Sequence, residues 1–151
     1  NDPEKYSAFG LPVLADIVPG FQGPLAGVLT AMTWARTLGA THVFTAPCDM
    51  PFLPSDLAQR LAARLGSDTD IVIATCAGDL HPLTALWPVT LAARLEEHLR
   101  HSDSRGVLEW LAQCRVAHAE FTNAGQFLNL NSPDDLVRAA QSAPGARVRT
   151  E

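Results

Sequence analysis

Asp49 stands in FTAPCDMPFLPSDL (44–57), at the end of an apolar run and among Pro47, Pro51 and Pro54. Proline fixes its own φ and pushes the preceding residue toward extended backbone, so a carboxylate in this setting is held at a set angle. Such a group suits Mg2+, which takes one or two carboxylates and completes its shell with phosphate oxygens and water. A turn aspartate can equally be consumed by neighbouring backbone N–H groups, and spacing alone leaves both roles open. Asp16 closes GLPVLAD (10–16) in the same manner, with contact to a ribose or base and an Asx turn as its two readings. GPLAG (23–27) joins a rigid turn to a helix start, where unbonded N–H groups and the helix dipole favour an anion or a carbonyl-bearing ring. Gly-Pro before a helix is also ordinary punctuation. In FLNLNSPDDL (127–136) alternation puts Asn129 and Asn131 on one face of an extended segment, opposite Leu128 and Leu130. Two amides there can orient a phosphate or polar ring and lend a neutral oxygen to a cation, or they can satisfy loop backbone. Arg105 opens a helix and can meet phosphate or solvent; His81 before Pro82 can carry a proton or only make hydrogen bonds.

These residues need elements to hold them, and hydrophobic periodicity supplies short strands alternating with longer helices. After Pro24, residues Leu25, Val28, Leu29, Met32 and Ala35 fall at helical spacing, with Gly39 as a stop. A strand is predicted over 42–47, a helix from Asp56 with Leu57, Leu61 and Leu65 on one face, and strands over 70–77 and 83–88. Helices over 90–100 and 104–113, strands over 115–121 and 126–131, and a last helix capped by Ser132 with Pro133 in its first position follow. The tail 141–151 is expected to be loosely ordered. This order predicts one domain over 1–151, a three-layer α/β/α sandwich around a mostly parallel sheet. In such sheets ligands bind beyond the carboxyl ends of the strands, where Asp16, Asp49, Asn129 and Asn131 are expected to lie.

Composition narrows the partners. A formal net charge of −5 among 151 residues and a pI near 5.4 argue against a broad nucleic-acid surface. No apolar run approaches the ~20 residues of a membrane span, and NDPEKYSAFG lacks the pattern of a signal peptide, so no membrane partner and a cytoplasmic location are expected. Cys48, Cys76 and Cys114 are scattered without C-x-x-C spacing, and the expectation is three small buried thiols. The histidines show no metal spacing, and neither a G-x-S-x-G nor a Ser-His-Asp order is present.

Taken in order, FGLPVLAD, PGFQGPLAGVL, FTAPCDMPFLPSDL, HPLTALWP, SRGVLEWL and FLNLNSPDDL resemble the molybdenum cofactor guanylyltransferase family over nearly the whole chain. The resemblance implies a Rossmann-like nucleotidyltransferase fold and a Mg2+-dependent reaction of GTP with molybdopterin that gives the guanine dinucleotide and pyrophosphate. By position it implies that Asp49 holds Mg2+ and approaches GTP, that Asp16 and Gly23 bind the nucleotide, and that Arg105, Asn129 and Asn131 stand on the molybdopterin side. Asp49 and Arg105 are then the catalytic candidates. A molybdoenzyme chaperone is a possible protein partner, and a monomer is expected.

The family pattern also contains a Gly-rich L-A-G-G-x-x-x-R-M-G loop followed by D-K, which is not among these residues. About fifty residues of a normal member are therefore expected to precede Asn1, judged from common element lengths, and the chain alone is expected to be inactive or feebly active. A CTP-dependent molybdopterin cytidylyltransferase, another nucleotidyltransferase, and a non-catalytic module binding nucleotide or chaperone are the alternatives.

Overall fold

The computed structural model describes residues 6, 8–18, 20, 23–102, 106–132, 135 and 137. Arg105, Pro133 and the tail 141–151 lie outside them. The first long element, α1 (Pro24–Thr37), starts on a proline whose missing N–H costs a helix nothing there, and it buries Leu25, Val28, Leu29, Met32 and Ala35 as the spacing predicts. It ends where Gly39 takes a positive φ of 73°. β1 (His42–Thr45) follows, then α2 (Leu57–Ala62), β2 (Ile71–Cys76), β3 (Asp79–Pro88), a 3-10 turn (Val89–Leu91), α3 (Ala92–His101), α4 (Val107–Leu111), β4 (Val116–Phe121) and a 3-10 turn at Ala124–Phe127. Leu57 and Leu61 are buried on α2, whereas Leu65 lies beyond the helix and is exposed.

The four strands lie in the order β1-β3-β2-β4. β3 is antiparallel to both β1 and β2, while β4 is parallel to β2. The sheet is thus mixed, which corrects the mostly parallel expectation. The cause is local: Ala77 and Gly78 have φ of 51° and 93°, so the chain reverses in two residues after β2 and β3 returns beside it as a hairpin. The three parallel strands β1, β2 and β4 still end on one edge of the sheet.

Alternation along the strands feeds two cores. Ile71, Ile73, Ala85 and Trp87 pack with α1, α3 and α4 on one face. Val72, Ala74, Cys76, Leu86, Ala119 and Phe121 pack with Leu57, Leu61, Met50 and Phe127 on the other. Helix layers on both faces complete the expected three-layer α/β/α arrangement. A fully buried Leu, Ile or Met contributes about 1.5–3 kcal/mol, so these two faces hold the strand ends where they are.

Two expected strands are not formed. Residues 126–131 are not part of the sheet: the chain makes the 3-10 turn and then runs alongside the loop after β1. Residues 11–16 are exposed and pair with no strand among the described residues. Alternation specifies a face only when a partner strand takes up the backbone groups, and among the described residues neither segment has one. Cys76 is buried and Cys114 half-buried, but Cys48 is exposed, against the expectation for all three.

Candidate active site

β1 delivers the loop that carries Asp49. At its end Thr45 donates its hydroxyl to the Leu83 carbonyl at 2.7 Å and accepts the indole N–H of Trp87 at 2.8 Å, so the strand end is bolted to β3. Two residues on, Met50 N–H donates to the Pro47 carbonyl at 3.4 Å, placing Cys48 and Asp49 at the centre of a turn. The Met50 side chain then enters the second core. Between Thr45 and Met50 the loop is pinned at both ends.

Asp49 is half-buried, and its Oδ1 is buried with no hydrogen-bond partner among the described residues. A buried polar atom without a partner is uncommon and costly, and turn N–H groups do not satisfy this one. The turn reading therefore explains where Asp49 sits but leaves its Oδ1 without a partner among the described residues. A hard, unpaired carboxylate oxygen fits Mg2+, which would take its remaining ligands from phosphate and water. Among the described residues no group of three or more His, Cys, Asp or Glu side chains gathers around a metal position.

Pro24, Gly27 and Val28 of α1 face Thr45, Ala46 and Pro47 across a cavity of about 240 Å3, immediately before the Asp49 turn. Gly23 precedes α1 with φ of 178°, extended backbone that any residue adopts, and a Cβ there would meet nothing within 4 Å. A Cβ at Gly27 would also meet nothing within 4 Å. Glycine inside a helix costs about 1 kcal/mol against alanine, and neither packing nor φ requires it at 27, so the open cavity wall is what its missing side chain leaves. Gly27 is the residue that sequence reasoning passed over; its signal was a glycine in the first turns of an otherwise good helix.

Asp16 is exposed on the α1 side. Its neighbour Ile17 donates its N–H to Thr30 Oγ1 at 3.1 Å, and Thr30 donates to the Ala26 carbonyl at 2.9 Å. No hydrogen bond or ion pair among the described residues joins Asp16 to Asp49.

Asn129 and Asn131 are exposed, and the chain between them is brought to the aspartate turn: Leu130 N–H donates to the Asp49 carbonyl at 2.8 Å. On one side the segment is anchored by the 3-10 turn, in which Gly125 N–H donates to Asn123 Oδ1 at 3.1 Å. On the other, Asn131 and Ser132 N–H donate to Asp135 Oδ2 at 3.2 and 3.0 Å, while Asp135 N–H donates to Ser132 Oγ at 3.2 Å. This reciprocal pair is the pattern expected of Ser132 as a cap, while most of the helix expected after it lies outside the described residues. The structure thus joins Asp49 to the 129–131 segment and sets the α1 cavity beside the loop that leads into the Asp49 turn. His81 is half-buried, its proton affinity lowered by burial with the Asp79 charge opposing, and its ring packs on Phe127.

The MobA-like NTP transferase domain matches residues 1–118 of this chain. A molybdenum cofactor guanylyltransferase of Rhizobium meliloti (strain 1021) is 44% identical, with 95% of this chain and 70% of the relative covered. One of Mesorhizobium japonicum is 45% identical over 93% of this chain and 71% of the relative. Among solved structures, molybdopterin-guanine dinucleotide biosynthesis protein A of Archaeoglobus fulgidus superposes with a TM-score of 0.69 at 25% identity, covering 93% of this chain and 72% of that one. A protein of Aquifex aeolicus VF5 shares the fold with a TM-score of 0.72 at 22% identity, over 87% of this chain and 68% of the other. The pinned aspartate turn, the adjoining asparagine segment and the α1 cavity lie within a chain that belongs to the molybdenum cofactor guanylyltransferase family of MobA-like nucleotidyltransferases.

Proposed function

We propose that the protein transfers the guanylyl group of GTP to molybdopterin, with Mg2+ as cofactor, to form the guanine dinucleotide and release pyrophosphate in the cytoplasm. The observation that carries this reading is the unpartnered Oδ1 of Asp49, on a pinned turn beside the α1 cavity and next to the asparagine segment. In this reaction a phosphate oxygen of the pterin substrate attacks the α-phosphorus of GTP. The bond from that phosphorus to the oxygen bridging the β-phosphate breaks, and pyrophosphate leaves with the electron pair. Mg2+, when bound, offsets negative charge on the phosphates.

The residues of the chain position the reactants. Asp49 holds the cation. Gly23 and Gly27 let the nucleotide approach the start of α1, whose first-turn N–H groups and positive dipole end favour its negative charge. Asp16 accepts hydrogen bonds from ribose or base on the same side, and Asn129, Asn131 and Arg105 orient the pterin substrate and its phosphate. No protein nucleophile is needed, so catalysis rests on positioning and electrostatics.

Pyrophosphate release from the full-length protein with molybdopterin and either Mg·GTP or Mg·CTP tests the proposal. Release with GTP is expected, and D49A should lower kcat by at least about 100-fold, the scale of losing one preorganised electrostatic contact. Release with CTP alone would assign a cytidylyltransferase, and nucleotide binding without release would assign a binding module.

A further inference from the structure

We propose that Phe127 is the positioning residue of this site: clamped between His81 and Phe121, its ring sets where Asn129 and Asn131 stand relative to Asp49. The part given to the two asparagines rests on the function proposed above; the clamp itself rests on packing. Leu128, Asn129 and Asn131 are exposed and lie outside the sheet, and Leu130 between the asparagines is only half-buried, so strand pairing does not fix the segment they share and burial does so weakly. Besides the Asp135 carboxylate, which accepts from Asn131 and Ser132 N–H, two contacts tie it to the body of the fold. One is the Leu130 N–H to Asp49 carbonyl bond at 2.8 Å. The other is Phe127, 6% exposed, two residues before Asn129.

The Phe127 ring lies 4.6 Å from that of His81, tilted by 39°, and 5.1 Å from that of Phe121, tilted by 51°. Such separations and tilts are those at which ring edges and faces attract, and they fix orientation as well as distance. Phe121 is held in turn: the Arg60 guanidinium lies 3.8 Å over its ring, and Arg60 Nη2 donates to the Glu120 carbonyl at 2.6 Å. The row Arg60, Phe121, Phe127, His81 therefore crosses from α2 over β4 and the 3-10 turn to β3. Phe127 and Met50 also belong to one core cluster, and Met50 is the residue after Asp49. The aspartate turn and the asparagine segment hang from the same packed unit, which sets the gap between them. A leucine at 127 would keep much of the volume but not the plane that the two neighbouring rings grip. Since a displacement of about 1 Å can cost on the order of 100-fold in rate, the clamp bears on turnover without touching substrate.

The test uses F127L, H81A and H81F in the full-length protein. The readouts are exchange of the Leu130 amide by NMR, thermal midpoint, and KM for each substrate with kcat. F127L should speed Leu130 exchange at least about tenfold while the amides of β2 and β4 stay protected. It should raise KM for molybdopterin or lower kcat by about tenfold, with KM for GTP changed less than about twofold. H81A should act in the same direction and more weakly, and H81F, which returns a ring without an ionisable group, should restore both the exchange rate and the kinetics. Unchanged Leu130 exchange in F127L and H81A would overturn the proposal, as would loss of protection across the sheet in both. Faster exchange with unchanged kinetics would support the clamp and remove the role assigned to the asparagines.

Discussion

At Asp49 the needs of the fold and of the proposed chemistry separate. Its Oδ1 accepts no hydrogen bond among the described residues, so folding draws little from that oxygen. D49N is therefore expected to leave the thermal midpoint within about 4 °C of the wild type, the shift that roughly 1 kcal/mol produces, while pyrophosphate release falls by at least about 100-fold. A large drop in the midpoint would show that the carboxylate is structural. Gly27 presents the same separation in the opposite sense. G27A should stabilise α1 by about 0.5–1 kcal/mol, read from the denaturant midpoint, and should raise KM for the nucleotide because the methyl group enters the cavity wall. Stabilisation with an unmoved KM would take Gly27 out of the site.

Between elements, the hairpin and the β2–β4 junction decide how the strand ends meet. Ala77 adopts a left-handed φ of 51° so that β3 can return beside β2. That conformation costs a residue with a Cβ roughly 1–2 kcal/mol, so A77G should raise stability by up to about 1 kcal/mol once the extra chain entropy of glycine is counted. A lower denaturant midpoint would contradict this. At the other edge Asp70 joins the start of β2 to that of β4, accepting from Arg115 N–H at 3.0 Å, Nε at 3.2 Å and Nη2 at 2.8 Å. These hydrogen bonds, side chain first, hold the Asp70 carboxyl at about 2 against its ordinary 3.8. Its folded value is depressed, so its stabilising contribution is present above 3.8 and is lost as pH falls toward about 2. D70N should lose less stability than the wild type across that window; parallel curves of thermal midpoint against pH would refute the assignment.

On the scale of the whole molecule, two helix layers bury the sheet and leave its C-terminal edge, with the Asp49 turn, accessible. Cys48 is exposed on that turn, whereas Cys76 lies in the second core and burial pushes its thiol pKa up. A thiol reagent applied to the native protein should modify Cys48 first, and Cys76 only as the protein unfolds, as peptide mass spectrometry would show. Rapid modification of Cys76 in the native state would mean that the second core opens easily. No helix among the described residues is long and apolar enough to cross a membrane.

Periodicity alone located α1, β2, α3 and β4, because burial on one face or both leaves its mark on residue spacing. The local sequence also placed Asp49 among prolines at a strand end and Ser132 as a cap, since those positions are set within a few residues of chain, although it left open whether Asp49 serves the turn or a ligand. The direction of β3 was not legible: Ala77-Gly78 lacks the usual Asn-Gly or Asp-Gly signal, and Asp79 and His81 made the start of the strand look like loop. The alternation over 126–131 suggested a strand because spacing cannot say whether a partner is present to take its hydrogen bonds. Tertiary structure decided that this segment meets the Asp49 carbonyl instead, that Oδ1 has no partner among the described residues, and that Phe127 sits between two rings. Each depends on groups brought together from distant parts of the chain, and their contacts exist only once the two cores have closed on the sheet.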